Sequence, residues 1–136
     1  MTSKHPRGAE IRAVALVALA LAASAAALWP AVASIVSNWV AIRDYQHGFL
    51  IAPVALAWLA TAIWRQRAGP LRPAPSGLVP LAFALLAWLV AWRAYSDIAL
   101  EALFPLIAWL TILAAAGWKI AREAAAPLAY LYFAIP

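Results

Sequence analysis

Residues 44–53 read Asp44-Tyr-Gln-His-Gly-Phe-Leu-Ile-Ala-Pro53, a polar stretch that gives way at Gly48 to an apolar run. Gly48 lets the backbone turn where a side chain would resist. From Phe49 to Trp64 no charged residue intervenes, which at about 1.5 Å of rise per residue gives a helix nearly long enough to cross hydrocarbon. The stretch therefore reads as a surface element leading into a membrane span. Tyr45 and His47, polar side chains just ahead of Gly48, mark the place where a functional site would have its first half.

The rest of the chain fits that reading. Of 136 residues, 68% are hydrophobic, 11% are charged and eight are Trp, which cannot clothe a soluble domain. The expected fold class is all-α, a polytopic membrane helical bundle in contact with the lipid bilayer. There is no Cys, so disulfides, thiolate metal sites and a cysteine nucleophile are excluded within these residues. The net charge of +5 comes from basic residues scattered between apolar runs rather than gathered on one face, so no nucleic-acid partner is implied. No cofactor is implied, and no metal: His5 and His47 are far apart and fall on opposite sides of the expected membrane.

In chain order, residues 1–12 carry Lys4, Arg7 and Arg12 and form a cationic N-terminus. Ala13 to Trp29 is the first expected span, with Ala18, Ala22 and Ala26 as a stripe of small residues that would let another helix approach. A cleaved signal peptide is the rival reading of this segment, with Ala31-Val32-Ala33 as the cleavage site. From Pro30 to His47 polar and apolar residues interleave, as in an interfacial loop with a membrane-facing side. Residues 49–64 form the second span, ending at Arg65 and Arg67. A connector from Gly69 to Gly77, rich in Pro and Gly, follows. Residues 78–92 and 98–118 are the third and fourth spans, joined by a short polar turn, and Lys119 and Arg122 close the fourth. Residues 127–136 read as the start of a fifth span, because about 15 Å of helix does not cross a 30 Å core.

With the N-terminus inside, eight basic residues lie on the cytoplasmic side and only Arg43 and Arg93 outside. That bias places Tyr45 and His47 on the external face. Trp29, Trp64, Trp92 and Trp118 close the spans as interfacial anchors. Pro53 and Pro105 cannot donate to the carbonyls of Phe49 and Glu101. The freed carbonyls suggest either a wet external cavity bordered by Glu101 and Asp97 or kinked packing alone.

Several elements in order carry a family resemblance. They are Tyr45-x-His47-Gly48-Phe49-Leu50-Ile51-x-Pro53, Trp64-Arg65-x-Arg67, the connector ending Ser76-Gly77-Leu78, Gly117 with Arg122, and Pro127-Leu128 through Phe133-x-Ile135-Pro136. Over roughly residues 40–136 the chain resembles the N-terminal half of the exosortase/archaeosortase family. The resemblance implies a multi-spanning protein of the bacterial inner (cytoplasmic) membrane that acts as a cysteine peptidase or transpeptidase. Its partners would be membrane-anchored protein substrates with a C-terminal sorting signal of the PEP-CTERM type. The family's catalytic Cys, Arg and His lie in later spans, so no catalytic residue is carried over and residues 13–136 are expected to be an inactive N-terminal part. His47 matches the family's His-Gly element and could cap the second span or hold a substrate carbonyl. A small non-enzymatic packing protein and a transporter-like subunit are the alternatives. The expected continuation beyond Pro136 extends the fifth span and supplies the Cys, Arg and His at external helix ends.

The orientation is checkable with single cysteines placed at Gln46 and at Ser76. An impermeant thiol reagent added to intact cells should label Gln46→Cys and spare Ser76→Cys; the reverse pattern would invert the topology.

Overall fold

In hydrocarbon the backbone has no partner but itself, so the apolar runs of this chain must be helical. The computed structural model describes residues 7–66 and 69–135, with side chains from Ile11 onward. Lys4, His5, Arg67 and Pro136 lie outside the described residues, as does the side chain of Arg7. Six α-helices follow one another: α1 (Arg7–Ala27), α2 (Trp29–Ala41), α3 (Gly48–Gln66), α4 (Leu78–Arg93), α5 (Asp97–Ala116) and α6 (Trp118–Tyr130). Short 3-10 turns cover Arg43–Tyr45, Pro75–Gly77 and Leu131–Ala134. No strand occurs among the described residues, and the fold is an all-α membrane bundle.

α5 is the central post and touches α1, α2, α4 and α6, while α3 packs on α1 and α6. Its buried residues run from Leu100 to Ala116 around much of the helix, as expected of a helix apolar on all sides and surrounded by others. One core cluster joins Val17 and Ala20 of α1, Leu59 and Ile63 of α3, Ile112 and Ala116 of α5, and Ile120, Ala124 and Leu128 of α6. α4 is peripheral, with Leu78, Val79, Phe83, Leu86 and Val90 exposed to the surroundings. Trp29, Trp64, Trp92 and Trp118 are each between 49% and 62% exposed at helix ends, as interfacial indoles are.

Three helices are long and apolar enough to cross a membrane, and a fourth crossing exists if α1 and α2 count as one broken span. The two meet at 84°. Pro30 causes the break, since it has no N–H to donate and its ring collides with the carbonyl of the preceding turn. The interfacial segment read from Pro30 onward as a loop is thus mostly helix, and α2 lies across the end of the bundle. Its apolar side faces inward through Ala31, Ile35 and Trp39. The stripe Ala18, Ala22 and Ala26 is exposed; α1 packs instead through Ala13, Val17, Ala20 and Ser24, and Leu28 is buried at the break that follows it.

The segment after α5 also departs from the sequence reading. α6 starts at Trp118, and Pro127 lies inside it. Gln66 at the end of α3 reaches Glu123 on α6 at 3.5 Å, whereas Phe133 lies against His47 just before α3 begins. α6 and its 3-10 extension therefore run antiparallel to α3 along most of its length, roughly 27 Å. A helix period hidden by Lys119, Arg122 and Glu123 explains the difference: Ile120, Ala121, Ala124 and Leu128 form its buried face while Lys119 and Arg122 stay exposed.

Two hairpin turns differ in how well their residues suit them. Gly117 joins α5 to α6 with φ 95 and ψ 176, a conformation open essentially to glycine alone, and a Cβ there would collide with the Arg72 carbonyl of the connector. Tyr95 sits at φ 55 in the turn between α4 and α5, where the Ser96 N–H reaches back to the Ala91 carbonyl at 3.0 Å. That is the Schellman arrangement, whose left-handed position usually holds Gly. Gly117→Ala should cost about 1–3 kcal/mol and lower the thermal midpoint in detergent, and Tyr95→Gly should leave it unchanged or raise it. An unshifted Gly117→Ala midpoint would contradict the tight connector contact.

Candidate functional site

Several polar side chains meet at the end of the bundle where α2 crosses. Trp39, in the last turn of α2, turns its ring over Gly48 at the start of α3, so closely that a Cβ at Gly48 would overlap the indole. Glycine is needed here for this approach. The Trp39 Nε1–H donates to the Ala134 carbonyl at 2.6 Å. Beside it, His47 Nε2 lies 2.9 Å from the Phe133 carbonyl and Nδ1 lies 2.8 Å from the Asp44 carbonyl. A neutral imidazole can donate to one of these carbonyls and an imidazolium to both. The Tyr132 hydroxyl donates to the Ala102 carbonyl of α5 at 2.8 Å. Three side chains thus fasten residues 131–134 to α2, α5 and the turn before α3.

Of the positions singled out by sequence, Tyr45, His47 and Gly48 are brought together here, the Tyr45 and His47 rings 6.4 Å apart. Pro53 is exposed on α3 and stands apart from them. The capping role considered for the His47 ring is not what the ring does: both nitrogens face carbonyls, and α3 starts instead on the His47 backbone carbonyl, which accepts from Leu50 and Ile51.

A second polar cluster ties α2 to α5. Glu101 is only 1% exposed, and burying a carboxylate this far is costly unless donors meet it. Ser34 Oγ donates to Glu101 Oε1 at 2.6 Å and Asn38 Nδ2 donates to the same oxygen at 3.1 Å. Ser34 and Asn38 are one turn apart and so project from one side of α2. The sequence reads as an interfacial loop from Pro30 to His47 and does not single out this pair of donors; their four-residue spacing is the available signal. Trp39, one of the apolar residues of that stretch, does not stand out in the sequence because its acceptor is a carbonyl 95 positions away.

Between these two clusters and the bundle core is a pocket of about 310 Å³. α2 contributes Val32, Ile35, Val36 and Trp39, α3 Ala52 and Leu56, and α5 Phe104, Pro105 and Ala108; α1, α6 and residues 131–135 complete it. The wet cavity considered from the two prolines is corrected on this point: the starts of α3 and α5 do line a cavity, but its lining is apolar. Glu101 turns away toward Ser34, and Asp97 is exposed in the first turn of α5. Among the described residues no three His, Asp or Glu side chains stand close enough to hold a metal ion.

A family model described as transmembrane exosortase (Exosortase_EpsH) matches residues 39–136. The match begins at Trp39, so α1 and most of α2 precede it. No curated protein and no solved structure matches the chain.

Trp39→Phe keeps an aromatic ring but leaves the Ala134 carbonyl without its indole donor, a loss of about 1–3 kcal/mol for a buried group. Amide hydrogen exchange over residues 131–135 should accelerate while α5 from Ile107 to Leu113 is unchanged. Equal exchange in both proteins would show that this bond does not hold the segment.

Proposed function

Because the family match covers residues 39–136, the chain belongs to the transmembrane exosortase family, and on that premise we propose that it is the scaffold half of a membrane transpeptidase that processes C-terminal sorting signals of exported proteins. The observation that carries this reading is the family match itself, which takes in the whole stretch from Tyr45 to Pro53. The protein resides in a bacterial cytoplasmic membrane with the α2 end of the bundle outward, facing the membrane-anchored tail of an exported substrate.

The chemistry divides the labour. Acyl transfer of this kind requires a thiolate to attack the peptide carbonyl, a group to carry the proton, and donors for the developing oxyanion. The chain has no Cys, so the nucleophile comes from outside these residues, and the 136 residues alone perform no such transfer. What they offer is a rigid apolar bundle whose outward end carries donors suited to main-chain carbonyls. His47 and Trp39 already grip two consecutive carbonyls of the chain itself, and Tyr45 stands beside them. A substrate backbone docking along this edge would meet the same kind of donor. Gly48 and the Trp39 ring set the height of that edge, and Pro53 acts as a helix-shaping residue beneath it.

A second reading, a non-enzymatic packing protein, is favoured by the missing Cys together with the exposed alanines Ala18, Ala22 and Ala26. One experiment separates the two. Reconstituted alone with a substrate bearing a PEP-CTERM-type signal, the chain should leave it uncleaved. Co-reconstituted with a polypeptide carrying the family's Cys, Arg and His spans, it should support cleavage that is lost when that Cys becomes Ala. Cleavage by the chain alone would overturn the mechanism. An assembled but inert pair would favour the packing protein.

A further inference from the structure

The pocket under α2 plays no part in the chemistry above, and its construction points to a ligand of its own. We propose that it takes up one alkyl chain of a bilayer lipid, entering sideways between Val36 of α2 and Leu56 of α3.

The lining decides the class of ligand. Every side chain facing the pocket is apolar, apart from the indole nitrogen of Trp39, and that nitrogen is already committed to the Ala134 carbonyl. Water needs two to four polar partners to occupy a cavity, so this one stays dry. At about 310 Å³ it is roughly twice the 150 Å³ or so at which an apolar protein cavity already takes up benzene. Left vacant, its walls would lack contact atoms on one side and forfeit dispersion attraction.

The entrance decides the source. Most lining residues are buried or half-buried, but Val36 is 40% and Leu56 is 52% exposed. α3 is one of the helices able to cross the membrane, so the mouth beside Leu56 opens onto hydrocarbon rather than water. A chain entering there exchanges one apolar environment for another and sheds no hydration. A soluble apolar molecule would first have to cross the lipid that already competes for the site.

The walls are held open from outside the pocket. α2 is the roof, turned 84° from α1 and fixed from its other side by Glu101 through Ser34 and Asn38. At the far edge Trp39 is tied to Ala134. The roof therefore resists the collapse that would otherwise close an apolar void, and the pocket is preformed for a slender flexible chain.

The test uses the 136-residue chain in nanodiscs of phosphatidylethanolamine and phosphatidylglycerol, doped with a phosphatidylethanolamine carrying a diazirine within one acyl chain. Irradiation and peptide mapping should place label on Phe104 and Pro105 inside the pocket as well as on Phe83 and Leu86 of the exposed α4 face. Ala108→Phe, or Ala52→Leu from another wall if the first does not yield a monodisperse helical protein, fills the space. Either should reduce pocket labelling by about tenfold and leave the α4 labelling unchanged. Label confined to Leu56 and the α4 residues would mean ordinary surface contact and overturn the proposal, as would interior label indifferent to both substitutions. A diazirine-bearing apolar anchor peptide that labels Phe104 and excludes the lipid would reassign the pocket to a peptide. None of these readouts depends on peptide cleavage, so they stand or fall separately from the enzymatic reading.

Discussion

A buried carboxylate governs the end of this bundle where α2 crosses. Glu101 sits on the central helix with almost no exposure, and its donors come from a helix that does not run parallel to the others. In a low-dielectric interior such a bond is strong, and an unmet partner is correspondingly expensive. The geometry of α2 follows from that. Pro30 ends the first helix, the chain turns through 84°, and the new helix can bury its apolar side only where Ser34 and Asn38 also reach the carboxylate. Once α2 is set, Trp39 has one place to put its ring, over Gly48, and one carbonyl to bond, that of Ala134. Leaving a buried donor or acceptor without its partner typically costs about 1–3 kcal/mol, so these dependent contacts lean on one side chain.

The class of fold was legible because it depends on sums. Hydrophobic content, charge scarcity and uninterrupted apolar runs point to a helical membrane bundle whatever the tertiary detail. Helix direction across the Pro30 break was not legible, because proline predicts an interruption but not the angle that packing then selects. α6 was missed because Lys119, Arg122 and Glu123 lower its hydropathy, and its buried face appears only when residues 120, 121, 124 and 128 are read at helical spacing. Tyr45, His47 and Gly48 stood out as polar or turn-forming residues at the edge of an apolar run. The Trp39 ring that covers Gly48 comes from nine positions before it, the Phe133 carbonyl that meets His47 from 86 positions after it, and the Ala134 carbonyl that holds Trp39 from 95 positions beyond that residue. Carbonyl acceptors of that kind leave no trace in side-chain identity.

The polar groups in this interior are largely structural. Trp109 donates to the Ala121 carbonyl at 2.6 Å, as Trp39 does to Ala134, so two indoles bracket the segment from α6 to its 3-10 extension. In an aqueous protein such bonds would compete with water at every moment; in hydrocarbon they have no competitor. The chain belongs to the transmembrane exosortase family, and both indole bonds lie within the residues that the family model covers.

α6 has a consequence for how the protein is made. A helix carrying Lys119, Arg122 and Glu123 within thirteen residues is a poor candidate for independent partition from a translocation channel into lipid. Its stability in the membrane must come from the neighbours it touches, α3 and α5, and both are synthesised before it. Emerging last among the described helices, it meets a groove already assembled, with the Ala134 and Phe133 carbonyls captured only at the end. Biogenesis is thereby ordered by sequence: the least apolar helix is born after the partners that admit it, and a circular rearrangement placing it first would ask the insertion machinery to accept a segment that the finished bundle alone makes tolerable.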